Sequence, residues 1–272
     1  MLQFNTLLRA EGLDPADVKL ARHQDTRYPG RPSPYQLWRA NAGRLERYQS
    51  IQRLAKFDGT RLLASFVATL IGETVFAGLY TINGVGPAPA RHLDPISGED
   101  AAGLFLYTME PAPHLSDFRG KLFIAWGDGY RAWVQSAAKQ EKTVIELRRT
   151  VSDPPFPGFL DFHARLSDLA HVPRDWRTTL SSVCGIYLLT CPKTGQHYVG
   201  SACGPTGFWG RWEDYAASGH GGNKLLREVP ESDYQLTILE VAASSAIAKE
   251  VIDMEDRWKR KLLSREFGLN AN

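Results

Sequence analysis

Residues 185–202 read GIYLLTCPKTGQHYVGSA, and this stretch decides the fold of the C-terminal part of the chain. Apolar and β-branched residues run from Gly185 to Thr190 and again from His197 to Ala202. Between them lies a Pro/Lys/Thr/Gly turn, the pattern of an antiparallel hairpin. Working outward, TGFWGRWEDYAAS (206–218) leads into a helix and YQLTILEV (234–241) reads as a third strand. SSAIAKEVIDMEDRWKRKLLSREF (244–267) has the periodicity of a long helix. The expectation is a small three-stranded antiparallel sheet flanked by helices, over residues 182–272.

The long helix singles out one residue. Val251, Glu255, Trp258 and Leu262 fall on one helical face, so a carboxylate sits within an apolar stripe. Burying an unpaired carboxylate is costly, so Glu255 needs a partner or a task. A salt bridge, a carboxylate at the stripe's edge and a metal ligand all remain open. In the hairpin, antiparallel pairing can bring Tyr187 and Tyr198 to one place. Arg211 and Tyr215 stand at i and i+4 on the following helix, hence on one face. Each of these taken alone is ordinary packing.

As an ordered set, these residues resemble the GIY-YIG nuclease family. GIY stands at 185–187 and YVG at 198–200; Arg211 follows, then Glu255 ahead of Trp258 and Leu262, then GLN at 268–270. Val199 replaces the isoleucine of the second tripeptide, and Tyr215 stands where several family members carry a histidine. The resemblance covers about a third of the chain. It implies a DNA endonuclease with one divalent ion, Mg²⁺ or Mn²⁺, held by Glu255. It further implies that Tyr187 acts as general base, tuned by Tyr198 and Tyr215. Arg211 would neutralise the phosphate. Asn270 would hold the phosphate or steady the loops around the site; a chain-end cap is its plainer reading.

Around this core, His220, Asn223 and Lys224 lie in a Gly-rich loop that reads as a DNA contact or an inert turn. Arg257 and Lys261, with Lys259, Arg260 and Arg265, track a DNA backbone or form a solvated face.

The remainder is α+β. Residues 2–10 and 15–22 read as short helices, and 34–54 carry apolar residues at helical spacing. Residues 61–71, 74–82, 103–111, 121–129 and 143–149 suit strands of a mostly antiparallel, curved sheet. VSDPPFPG (151–158) marks the domain break. Residues 1–150 are thus read as a target-recognition domain and 151–181 as a linker with connector helices. TVFAGLYTI (74–82) and FIAWGDGYRAWVQ (123–135) resemble PUA-type barrels, whose EVE, ASCH and SRA modules bind RNA or modified DNA bases. That resemblance implies that Trp126, Tyr130 and Trp133 stack on a base while Arg131 contacts phosphate. Read as residues alone, the aromatics fill a β core.

Composition excludes little. The 272 residues are 43% hydrophobic and 23% charged with net charge +2, an ordinary globular balance. Three cysteines give no disulfide framework and match no common zinc spacing. No apolar run has transmembrane length, and the N-terminal MLQFNTLLRAEG reads as an amphipathic helix, so a cytoplasmic protein without a membrane partner is expected. The leading expectation is a restriction or defence enzyme that pairs as a homodimer on DNA. A repair or mobile-element nuclease acting on branched or single-stranded DNA is the second. A catalytically dead nucleic-acid-binding adaptor is the third.

Overall fold

The computed structural model describes residues 1–25, 27–28, 31–40, 43–127, 132–218, 221, 226 and 233–271. The chain divides after Pro154, with a first unit built on Met1–Tyr28 and Pro32–Pro154 and a second on Pro155–Asn272.

The first unit is organised by a mixed eight-stranded sheet. Its strands are β1 (Val18–His23), β2 (Ile51–Gln52), β3 (Leu62–Ala68), β4 (Thr74–Pro87), β5 (Phe105–Pro111), β6 (Leu122–Ile124), β7 (Val134–Ser136) and β8 (Val144–Leu147). The main order is β2-β5-β4-β3-β1-β7, with β6 joining β4 to β8. Most pairs are antiparallel, but β1 lies parallel to β3. This corrects the reading of residues 15–22 as a helix. Pro15–Asp17 make one 3-10 turn, after which Val18, Leu20 and Ala21 are buried in the sheet. Six residues with so much inward-facing apolar surface gain more from the ladder than from a short isolated helix.

Helix α1 (Phe4–Ala10) sets Phe4 against Phe66 and Phe76, at ring separations of 5.2 and 5.6 Å. The 34–54 segment divides into α2 (Pro34–Arg39) and α3 (Arg44–Ser50). Helix α2 starts at a capping box: the Ser33 hydroxyl accepts from the Gln36 amide while the Gln36 side chain accepts from the Ser33 amide.

The second unit holds a four-stranded antiparallel sheet in the order β11-β10-β12-β9, one strand more than expected. Its strands are β9 (His163–Arg165), β10 (Gly185–Thr190), β11 (His197–Ala202) and β12 (Gln235–Val241). The addition, β9, comes from the segment read as a connector, and it pairs with β12. Phe162, Leu166, Leu169 and Val172, with Trp176 and Leu180 of α4 (Arg174–Ser181), enter the same core as Tyr187 and Trp212. Residues from Pro155 onward therefore belong to the second unit and do not form a free linker. The reason is apolar content: Phe162 is 1% exposed and stacks on Trp212 at 5.4 Å and 8°.

Helix α5 (Gly207–Ser218) packs with Tyr187 and Leu189 in one apolar cluster, and α6 (Ala248–Lys261) packs with Ile186 and Val199 in another. The alternation of strands β10 and β11 separates the two sets of residues. Among the described residues, no helix is long and apolar enough to cross a membrane.

Two outcomes test this architecture. A fragment starting at residue 155 folds cooperatively, whereas one starting at 182 does not, as read by thermal melting. In the first unit, burial pushes the His23 imidazole down to about 4, against an opposing hydrogen bond that it donates to Gln49. The folded state thus binds fewer protons than the unfolded one between the unfolded value of 6.5 and the folded value of about 4. Stability contributed above pH 6.5 is lost as pH falls through that window, by about 3 kcal/mol in total. Denaturant titrations of His23→Gln show that slope removed.

Candidate active site

The hairpin's glycines are fixed by what lies against them. A Cβ on Gly200 would stand 2.4 Å from the Tyr187 hydroxyl, and one on Gly185 would stand 2.2 Å from the Glu240 carbonyl oxygen. Cross-strand register places Tyr187 opposite Gly200 and Leu189 opposite Tyr198. The glycine gives the phenol room to lie over the edge strand, and Tyr198 sits diagonally beside it with ring centroids 6.5 Å apart.

Helix α5 brings Arg211 and Tyr215 onto this pair. The Tyr187 hydroxyl donates to the Tyr215 hydroxyl at 3.1 Å, and Arg211 Nε donates to the Tyr187 oxygen at 3.3 Å. A further Arg211 N–H reaches the Tyr215 oxygen at 3.4 Å, and the guanidinium lies 5.0 Å from that ring's centre. Trp212 closes the far side, edge-on to Tyr187 at 6.2 Å. Tyr187, Tyr198, Arg211 and Tyr215 thus form one cluster.

The electrostatics of the cluster are lopsided. Burial raises the Tyr187 phenol above its ordinary value, reinforced by Tyr198 and opposed by Arg211. Burial likewise raises Tyr215, with Tyr187 and Tyr198 adding to it. Both are neutral phenols at neutral pH. Among the described residues no carboxylate pairs with Arg211. A partly buried guanidinium bonded only to phenols keeps unused N–H donors and an uncompensated charge, which suits an incoming anion.

Glu255 approaches from the α6 side. Ser201 follows Gly200 on β11, and its hydroxyl donates to Glu255 Oε2. The phenol and the carboxylate thus reach adjacent residues of one edge strand, from its two faces. Glu255 has the partner that its place in an apolar stripe calls for: Lys259 Nζ lies 2.8 Å from Oε1, with the glutamate and lysine side chains 15% and 9% exposed. The i,i+4 spacing contained that signal, but Lys259 sits in a charge run read as tracking DNA or as a solvated face. Ser201 was missed as well, although it shares a face with Val199. Trp258 turns its indole N–H to Glu240 at 2.6 Å.

The carboxylate already holds a cation in the form of the lysine ammonium. Its two hard oxygens and the adjacent hydroxyl fit a hydrated divalent ion as donor set. Among the described residues no group of three or more His, Cys, Asp or Glu side chains gathers to hold a metal.

Asn270 braces the strand that carries Tyr198. Its Oδ1 accepts from the Val199 amide at 2.9 Å and its Nδ2 donates to the Val199 carbonyl at 2.8 Å. It is 3% exposed, with both ends of its amide bonded to the edge strand. Arg257 lies 3.8 Å from Glu240, and Lys261 sits 4.8 Å over the Trp258 ring. His220, Asn223 and Lys224 lie outside the described residues, as do Tyr130 and Arg131. The tryptophans proposed to join the latter two are in separate clusters. Trp126 is buried against Phe66 under Lys142, and Trp133 packs between His23 and Phe57. Both fill cores instead of meeting on one face.

No family model, no curated protein and no solved structure matches this chain.

Gly200→Ala forces the Tyr187 ring to move, and overpacking of this kind costs about 1–3 kcal/mol. Asn270→Ala leaves two buried backbone groups of Val199 unpaired, at about 1–3 kcal/mol for each group. Denaturant unfolding of the second unit measures both losses.

Proposed function

We propose that this chain is a metal-dependent DNA endonuclease of the GIY-YIG type. The observation that carries the reading is Arg211, a partly buried guanidinium bonded to two phenols and paired with no described carboxylate. A fixed positive charge beside ionisable hydroxyls suits a phosphodiester. Arg211 takes the non-bridging oxygens. Tyr187 Oη receives the proton of the attacking water, and the Arg211 N–H at 3.3 Å favours its phenolate against the effect of burial. Glu255 holds Mg²⁺ or Mn²⁺, which when bound offsets phosphate charge and acidifies water. Tyr198 and Tyr215 orient Tyr187, while Ser201 and Asn270 fix the strand on which it rests.

In this reading the first unit chooses the DNA, including DNA with a modified base, in a restriction or defence role. Two chains act together, because one such site cuts one strand at a time. A different reading, a module that holds nucleic acid without cutting it, draws support from the full burial of Tyr187 and from the Lys259 pairing of Glu255.

Cleavage of plasmid, modified phage DNA, and branched and single-stranded oligonucleotides separates these readings. Wild type cuts with Mg²⁺ and stops with chelator. Arg211→Ala and Glu255→Gln lose on the order of a hundredfold or more in rate, as removal of one charge-stabilising donor does elsewhere. Because Tyr187 lies above the ordinary phenol range, the fraction of active phenolate grows with pH. The rate therefore climbs steadily from neutral to alkaline pH, and Tyr187→Phe removes that climb. Binding without any cutting by wild type establishes the second reading instead.

A further inference from the structure

We propose that Lys259 is a resident counter-ion that occupies Glu255 until DNA phosphate draws it away, so that the site takes its metal together with its substrate. The inference rests on the reading of Glu255 as the metal ligand. Two observations carry it. Lys259 Nζ lies 2.8 Å from Glu255 Oε1, with only 9% of the lysine side chain exposed. The other carboxylate oxygen accepts from the Ser201 hydroxyl, so both oxygens are engaged. Among the described residues Glu255 is the ion-pair partner of Lys259.

The physical consequence is competition. A divalent ion on Glu255 meets an ammonium at contact distance in a weakly hydrated place, where charges of like sign repel strongly. Displaced lysine must find another anion, because an unpaired buried ammonium is itself costly. The ligand that the proposed reaction brings is anionic, and the flexible four-carbon stem lets the ammonium turn to a phosphate oxygen. Lysine is suited to this role because it is a compact charge on a mobile arm, whereas Arg211 is held in place by its bonds to two phenols.

The test reads Mn²⁺ binding from the loss of the free-ion electron paramagnetic resonance signal, without reference to cleavage. Wild type, Lys259→Met, Lys259→Arg and Glu255→Gln are titrated alone and with a short duplex oligonucleotide. The Glu255→Gln curve supplies the background of ions bound to DNA. Methionine keeps most of the apolar stem, and circular dichroism confirms that each variant is folded. Wild type binds weakly alone and about tenfold more tightly with duplex, the scale set by removing one close like charge from a partly buried site. Lys259→Met binds without DNA as tightly as wild type does with it, and Lys259→Arg behaves as wild type. If Lys259→Met and wild type show the same Glu255-dependent affinity without DNA, the competition is refuted. If duplex leaves wild type unchanged, release by phosphate is refuted. If no Glu255-dependent binding occurs in any protein, the metal-ligand reading itself fails, and the proposal with it.

Discussion

The second unit depends on one steric fact: the Tyr187 ring needs the space where a side chain at position 200 would be. With glycine there, the phenol lies flat over the edge strand and its hydroxyl becomes a fixed point. Tyr215 bonds to it, Arg211 bonds to both, and Tyr198 leans against it. Helix α5 is thereby held in register with the hairpin by polar contacts inside an apolar cluster. Such networks have one satisfactory arrangement, and a partly satisfied version is worse than none.

The two faces of the hairpin divide the work. On the α5 side lie buried phenols and a positive charge without an acid partner among the described residues. On the α6 side lies a carboxylate with a lysine and a serine on its oxygens. Charge is thus segregated across a single strand, and Gly200 and Ser201 are the adjacent residues where the halves come nearest along the chain.

Much of this was legible in the sequence, and what was not has physical reasons. The tyrosine and glycine positions of the hairpin were readable because period-two alternation and a tight turn fix register. Arg211 and Tyr215 were readable from helical spacing. Lys259 was not, because a run of basic residues on a helix is usually solvated and only packing shows which of them turns inward. Strand β9 has only three residues within a stretch that also fits a helix, and pairing with β12 decides its state. Strand β1 was hidden for a related reason: residues 18–23 bury four positions without strict alternation. Trp126 and Trp133 are close in sequence yet belong to different apolar clusters, a separation that no local pattern encodes.

The bracing of β11 by Asn270 reaches beyond the site. An outermost strand with open amides and carbonyls invites another chain to zip alongside. Here Asn270 takes both main-chain groups of Val199, and the Leu269 amide takes the His197 carbonyl. That flank is closed to sheet extension at the two residues on either side of Tyr198. The opposite margin of this sheet is β9, so two copies joined by β-pairing there would keep their phenol-bearing margins on the outside of the joint sheet.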